Sequence, residues 1–129
     1  MPDTEPVVLV CCIHNSGRSV AAAGFLCHLA GDRITVFSRG SDPETDLNPQ
    51  IVVVAEVGID VSGHTPRALE QADVEWADIV VTMGCGDACP VLPGKEYVDW
   101  NLPDPAGLCL EEVRELRAVI ELRVSSLPL

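Results

Sequence analysis

A short apolar run that ends in cysteine, then turns through a glycine-containing segment into a run of small residues, constrains the fold most strongly. This stretch covers residues 7–23 and reads VVLVCCIHNSGRSVAAA. The apolar run predicts a buried strand, and the small residues after the turn predict a helix. A strand-to-helix turn of this kind directs unpaired backbone N–H groups into one concavity at the helix N-terminus, which suits an anion.

The same turn contains the pattern Cys-x5-Arg-Ser, formed by Cys12, Arg18 and Ser19. The spacing selects Cys12 as the reactive thiol, because Cys11 lies one residue out of register. The positive field of a helix N-terminus favours thiolate over thiol, and a guanidinium adds a planar, two-pronged donor to an oxyanion. The pattern predicts a loop that binds an oxyanion and attacks its central atom. The alternative is a strand–turn–helix with an incidental buried cysteine.

The predicted oxyanion cradle is the continuous stretch that follows the nucleophile. Asn15 and Gly17 suit the positive-φ positions of a tight anion-binding loop. The hydroxyl of Ser16 or Ser19 can donate a proton to the thiolate or to the anion, and His14 is expected to shape the loop. The predicted oxyanion-binding residues are Ile13, His14, Asn15, Ser16, Gly17, Arg18 and Ser19.

Strand and helix patterns alternate along the rest of the chain. Predicted strands cover residues 7–11, 34–38, 79–83 and 96–100, and predicted helices cover residues 17–30, 48–57 and 110–127, with a short helix near 66–72. Near-continuous apolar strands in this order predict an α/β fold, a three-layer sandwich with a four-stranded parallel sheet. A chain of 129 residues is expected to form a single domain over residues 1–129.

Two further loops follow predicted strands, and ligands of parallel sheets bind beyond the carboxyl ends of the strands. One loop contains Cys85 and Cys89, four positions apart in MGCGDACP. Such a pair can resolve an adduct on Cys12 by thiol exchange. Half of a metal site and two packed thiols are the alternatives. No second cysteine pair or close histidine completes a metal site, so we predict none.

The other loop contains Asp104 in LPDPAG. A carboxyl group there can donate a proton to a leaving oxygen, although Asp-Pro also forms turns and helix caps. The remaining cysteines and histidines belong to no pattern. Cysteines 11, 27 and 109 are expected to be buried or incidental, and histidines 28 and 64 are expected on a helix surface and in a loop.

Charge and composition exclude several classes of partner. A net charge of −12 argues against binding to nucleic acid and to acidic membrane surfaces. The N-terminal residues MPDTEP do not read as a signal peptide, and no apolar run approaches a membrane span. We therefore predict a cytoplasmic protein. Six cysteines in such a setting indicate redox chemistry more than structural disulfides.

Taken together, these motifs resemble the arsenate reductases built on the low-molecular-weight protein tyrosine phosphatase fold, closest to the actinobacterial type. The matching pieces are VLVCCIHNSGRS, the NP…AEVGID segment, VVTMGCGDACP, YVDWNLPDPAG and EEVRELR, in order over nearly the whole chain. VVTMGCGDACP followed by DWNLPDPAG is much more specific than the first loop alone.

The resemblance implies a role for each candidate residue. Cys12 attacks arsenate, Arg18 and the loop amides from residue 13 to residue 19 hold the oxyanion, and Asp104 protonates the departing oxygen as water. Cys85 displaces arsenite and forms a disulfide with Cys12, and Cys89 takes over that disulfide for thioredoxin to reduce. Phosphate and sulfate are expected as competing oxyanions, and no cofactor is implied.

The sequence departs from this family pattern in three places. Val20 and Ala21 stand where members often carry Gln-Met. Ala23 stands where some relatives have a glutamate that helps bind potassium, so we predict no potassium site. Cys85 and Cys89 are closer together than in many relatives that use thioredoxin. The alternative reductant is a low-molecular-weight thiol, mycothiol with mycoredoxin, which would attack the Cys12 adduct directly.

Two other functions use the same residues. A low-molecular-weight protein tyrosine phosphatase would use Cys12, Arg18 and Asp104 alike and would need neither Cys85 nor Cys89. Its phosphotyrosine pocket would require aromatic walls, which NLPDPAG does not supply. A non-catalytic protein could instead hold trivalent arsenic between three neighbouring thiols.

Overall fold

The computed structural model describes residues 6–15, 17–30, 33–43, 45, 52–61, 64–83, 91–100 and 109–126. Strands and helices alternate through these ranges, as the sequence predicts. They are β1 Val7–Cys12, α1 Arg18–Ala30, β2 Thr35–Gly40, α2 Val52–Ala55, α3 Gln71–Trp76, β3 Ile79–Met83, β4 Glu96–Asp99 and α4 Leu110–Ser125. Within the same ranges, no helix combines the length and the apolar character that crossing a membrane requires.

The four strands form one parallel sheet in the order β2-β1-β3-β4, which confirms the predicted architecture. All six residues of β1, VVLVCC, are buried, because this strand is central in the sheet and covered on both faces. β-Branched valines suit such a position, since their side chains pack well on a pleated surface.

Helices cover both faces of the sheet and so form the predicted three layers. On one face, Val8 and Val10 pack with side chains of α1 and α4 in the larger apolar cluster. On the other face, Val7 and Leu9 pack with Val74 of the short helix α3. Successive side chains of β1 point to opposite faces of the sheet, so this strand contributes to both apolar clusters.

The prediction of a short helix near residues 66–72 is wrong in its position. Residues 66–70 are extended, and Ala68 forms a parallel bridge with Gly40 at the end of β2. Gly40 N–H donates to the carbonyl of Arg67 at 2.9 Å, and its own carbonyl accepts from Leu69 N–H at 2.8 Å. The helix begins only after Glu70, where Glu70 and Asp73 form a capping box.

Smaller differences concern element ends and exposed side chains. The structure describes α2 over Val52–Ala55, while residues 48–51 of the predicted helix lie outside the described residues. β2 continues two residues beyond its predicted end, to Gly40. Of the three cysteines expected to be buried or incidental, Cys11 is buried, and Cys27 and Cys109 are exposed residues.

Helix α4 provides a test of how the apolar layers stabilise the fold. The adjacent residues Val119 and Ile120 are 39% and 2% exposed. Ile120→Ala should lower the free energy of unfolding by about 2–5 kcal/mol, because it leaves a cavity in the larger core. Val119→Ala, the matched control, should change it by about 0.5 kcal/mol or less. Urea denaturation measures both, and equal losses would contradict the packing described for α4.

Candidate active site

Cys12 ends the central strand β1, and its side chain is almost fully buried at 1% exposure. Two donors converge on its sulfur. The backbone N–H of Asn15 donates to Cys12 Sγ at 3.2 Å, and Ser19 Oγ lies 3.0 Å from the same sulfur. Both groups can donate to a thiolate sulfur, so this arrangement suits a thiolate nucleophile.

Asn15 fixes the shape of the loop. It has a φ of 49°, the left-handed conformation predicted for this position, and asparagine tolerates that conformation better than most residues. Its side chain is completely buried. Asn15 Oδ1 accepts a hydrogen bond from the backbone N–H of Arg67 at 2.9 Å, and Asn15 Nδ2 donates to Ser19 Oγ at 2.9 Å.

These contacts determine which atom donates and which accepts in each hydrogen bond of the network. A backbone N–H can only donate, so the Arg67 contact identifies Oδ1 of Asn15 and leaves its amide nitrogen facing Ser19. Ser19 Oγ therefore accepts from Asn15, and its own proton is available to Cys12. A thiolate at Cys12 can only accept, so the Ser19 hydroxyl donates to it across the 3.0 Å contact.

His64 contacts the loop through Asn15, a contact that the sequence does not predict. Its Nε2 lies 3.0 Å from Asn15 Oδ1, and because that oxygen only accepts, Nε2 carries a proton. Burial is the main cause that lowers the pKa of His64, and the positive charges of Arg39 and Arg67 lower it further. The sequence contains no signal for this contact, because it depends on the extended segment 64–69 crossing the end of β2.

Gly40 allows the loop and β2 to approach each other closely. A Cβ at this position would lie 2.7 Å from the carbonyl oxygen of Ile13 and 2.9 Å from the backbone nitrogen of Asn15. Both are backbone atoms of the cradle and cannot move aside cheaply. The absence of a side chain at Gly40 is thus required for the loop to lie where it does.

The other described cradle residues are held by backbone contacts and burial. Arg18 is the first residue of α1 and is 5% exposed. The carbonyls of Cys12 and Ile13 accept hydrogen bonds from Ser41 N–H at 3.1 Å and Asp42 N–H at 2.7 Å. His14 Nδ1 lies 3.2 Å from the carbonyl of Asp42.

Four of the predicted site residues, Ser16, Cys85, Cys89 and Asp104, lie outside the described residues. The strands that lead to three of them are described. Met83, the last residue of β3, is the register partner of Cys12, and the backbone N–H of Trp100 donates to the carbonyl of Thr82 at 2.8 Å. The strands β3 and β4 therefore finish at the same end of the sheet as β1, the end where Cys12 lies.

The residues near the cradle do not fit a potassium ion. Ala23 contributes only a methyl group, and the charges of Arg39 and Arg67 already act on His64. A further cation would be repelled by them. Throughout the described ranges, no group of three His, Cys, Asp or Glu side chains is arranged to hold a metal ion.

A buried thiol with two neighbouring donors lies between a central parallel strand and a helix N-terminus, an arrangement that suits the binding of an oxyanion beside a thiol. The sequence matches the family model for low molecular weight phosphotyrosine protein phosphatases over residues 7–128. The chain belongs to this family.

Several proteins with more than 30% sequence identity to this chain are arsenate reductases. The glutaredoxin arsenate reductase of Synechocystis is 35% identical, and the match covers 93% of this chain and 94% of that protein. The solved structure of a thioredoxin-dependent arsenate reductase from Corynebacterium glutamicum has a TM-score of 0.82 and 36% identity, and the match covers 98% of this chain. It covers 63% of that longer chain. The low molecular weight protein tyrosine phosphatase of T. tengcongensis has a TM-score of 0.81 over 94% of this chain and 96% of that one, but 21% identity, which indicates a shared fold.

The contact between Ser19 and Cys12 predicts a loss of thiol reactivity in Ser19→Ala. Removing the hydroxyl takes one hydrogen bond from a charged acceptor, which is worth about 1.5–3 kcal/mol. Alkylation of Cys12 by iodoacetamide near neutral pH should slow by roughly one to two orders of magnitude. Peptide mass spectrometry distinguishes Cys12 from the other cysteines, and Ser125→Ala on α4 is the control. An unchanged rate would show that this hydroxyl does not support the thiolate.

His64 predicts a specific acid sensitivity of folding. Its pKa in the folded protein lies below the ordinary value of 6.5, so the unfolded chain binds the proton more readily. The stability contributed by neutral His64 is complete above that pH and is lost as the pH falls below it. In urea denaturation, His64→Gln, which keeps an Nε2 donor but does not titrate, should lose less stability than the wild type on acidification. His28→Gln, at an exposed position, should behave as the wild type, and equal acid sensitivity in His64→Gln would contradict this account.

Proposed function

We propose that the protein is an arsenate reductase that forms a covalent adduct between Cys12 and arsenic. The observation that carries the proposal is the convergence of Asn15 N–H and Ser19 Oγ on a buried sulfur at the start of α1. A thiolate held there faces the loop N–H groups and Arg18, which suit a tetrahedral oxyanion. The similarity to arsenate reductases supports arsenate as that oxyanion.

In the first step, the Cys12 thiolate attacks arsenic and an As–S bond forms. One As–O bond breaks, and the departing oxygen leaves as water once it is protonated. We assign Arg18 and the N–H groups of residues 13–19 to the charge on the remaining oxygens. Asp104 is the proposed proton donor to the departing oxygen. The step changes no oxidation state.

In the second step, Cys85 attacks the sulfur of Cys12. The As–S bond breaks with its electron pair remaining on arsenic, so arsenic is reduced by two electrons and arsenite leaves. The two sulfurs are oxidised together to a Cys12–Cys85 disulfide. Cys89 then attacks Cys85, which releases the Cys12 thiolate and leaves a Cys85–Cys89 disulfide. A dithiol reductant restores this disulfide to two thiols.

The register of the sheet supports this relay. Met83 lies opposite Cys12 on the neighbouring strand, at an inter-strand distance of about 4.8 Å. Cys85 is two residues farther along, and two residues reach at most about 7 Å. A disulfide needs a Cα separation of about 4.4–6.8 Å. Cys85 is thus close enough in the chain to pair with Cys12 after a local movement of its loop.

We propose thioredoxin as the reductant, because the structurally similar C. glutamicum protein is described as thioredoxin-dependent. The Synechocystis relative is described as a glutaredoxin enzyme, so the reductant varies among similar proteins. Mycothiol acting on the Cys12 adduct is the alternative, and it would leave Cys85 and Cys89 unused. A reducing cytoplasm is the proposed location, since the cycle starts from free thiols.

The test is turnover of arsenate by the purified full chain with thioredoxin, thioredoxin reductase and NADPH. Cys12→Ser should abolish NADPH oxidation, because no other thiol lies in the cradle. Cys85→Ser and Cys89→Ser should each reduce thioredoxin-coupled turnover by at least about a hundredfold, as expected for loss of an essential thiol. Cys27→Ser and Cys109→Ser, at exposed thiols outside the relay, are the matched controls and should retain turnover.

Mass spectrometry after treatment with arsenate alone resolves the alternatives. A Cys85–Cys89 disulfide in the wild type and a Cys12–Cys85 disulfide in Cys89→Ser are expected. Full thioredoxin-coupled turnover by both Cys85→Ser and Cys89→Ser would overturn the relay. In a second sample treated with arsenate and mycothiol together, a mixed disulfide of Cys12 with mycothiol would support the alternative reductant. Hydrolysis of an aryl phosphate without arsenate turnover would identify a phosphatase, and stoichiometric binding of arsenite without turnover would identify a binding protein.

A further inference from the structure

A cavity of about 660 Å³ adjoins the hydrogen-bond network of Asn15. Its described lining comes from α1, from β2 and from residues 58–61, 64, 65 and 67, and His64 is shared between the cavity and the network. Neither Cys12 nor Arg18 is among its described lining residues. The mechanism proposed above does not use this space.

The cavity concentrates positive charge in an acidic protein. The chain has 20 Asp and Glu residues against 8 Lys and Arg residues. The described lining residues reverse this ratio, since they include two guanidiniums, Arg39 and Arg67, with Asp60 as the acidic one. An anion that is repelled by most of the surface would meet local attraction here.

The guanidiniums of Arg39 and Arg67 differ in their side-chain partners. Arg39 pairs with Asp73 at 3.3 Å and lies over the ring of Phe37. In the part of the chain that the structure describes, no acidic side chain forms an ion pair with Arg67. Arg67 is held in place by its backbone, because its N–H donates to Asn15 and its carbonyl accepts from Gly40. Its side chain is therefore available for a ligand on a fixed support.

Other lining groups define the kind of anion. Val20, Val36, Ile59 and Val61 give the cavity an apolar wall, and Thr65 adds a hydroxyl. Burial raises the pKa of the Cys27 thiol, so this side chain stays neutral and adds no negative charge near pH 7. An apolar wall beside a cationic group favours a ligand with a hydrophobic body and one charged end.

We propose that this cavity binds a small organic carboxylate, anchored by Arg67 and packed against the valine and isoleucine wall. The site is separate from the oxyanion cradle, and it adjoins the cradle through His64 and Asn15. Its ligand is distinguished from the inorganic oxyanions of the cradle by its apolar body.

The test is a titration of the reduced full chain with benzoate, followed by NMR of the ring signals of its three histidines. Dithiothreitol serves as the reductant because it is uncharged. Benzoate should shift the His64 and His28 signals saturably, since both rings line the cavity, with smaller effects on His14. Benzamide, which has the same ring without the charge, should bind about tenfold more weakly or not at all.

Variants at the anchor complete the test. Arg67→Gln should weaken benzoate binding by about tenfold or more, the loss expected for one charge-assisted partner, and Arg67→Lys should retain most of it. Arg123→Gln on α4 removes a cation outside the cavity and should bind as the wild type. Thermal unfolding checks that Arg67→Gln is folded, because the backbone contacts of residue 67 do not need its side chain. Shifts confined to His14, equal binding of benzamide, or unchanged affinity in folded Arg67→Gln would each overturn the proposal.

Discussion

The carboxamide of Asn15 is the interaction on which the arrangement around Cys12 depends. It is completely buried, and its contacts connect three parts of the chain that are distant in sequence: the cradle, the first turn of α1 and the segment 64–67. A buried amide left without partners is costly, so the segments must stay together for the group to remain satisfied. The same group orders the hydroxyl of Ser19 toward the sulfur. Structural stability and the chemistry of the thiol therefore share one set of hydrogen bonds.

The parallel sheet supplies the second constraint. Neighbouring parallel strands have their carboxyl ends on the same side of the sheet. The register pairs Cys12 with Gly40 of β2 and with Met83 of β3, so three chain segments meet at this end of the sheet. Gly40 allows the cradle to lie against β2, and the end of β3 leads into the residues that carry Cys85. The positions of the loops follow from strand order, which is why a sequence pattern along each strand already indicates where a ligand binds.

The predictable part of the molecule is the part determined by local pattern. Apolar strands, the small-residue helix after Cys12 and the asparagine in a left-handed conformation are each encoded within a few neighbouring residues. His64 escaped prediction because its role comes from a partner 49 positions away in the sequence. The segment 66–70 was misplaced for a related reason, since its pairing with Gly40 overrides a local tendency toward helix. Long-range pairing leaves no periodic trace in the sequence.

The location of the cradle has a consequence for how such proteins diversify. The proposed oxyanion cradle lies between β1 and α1 and is supported by β2 and the segment that pairs with it, whereas the proposed electron-carrying thiols follow β3. In the proposed mechanism, anion capture and electron supply are thus assigned to separate parts of one scaffold. Under that mechanism, exchange of a single loop would change the outcome of the reaction from hydrolysis to reduction while the capture step stayed intact.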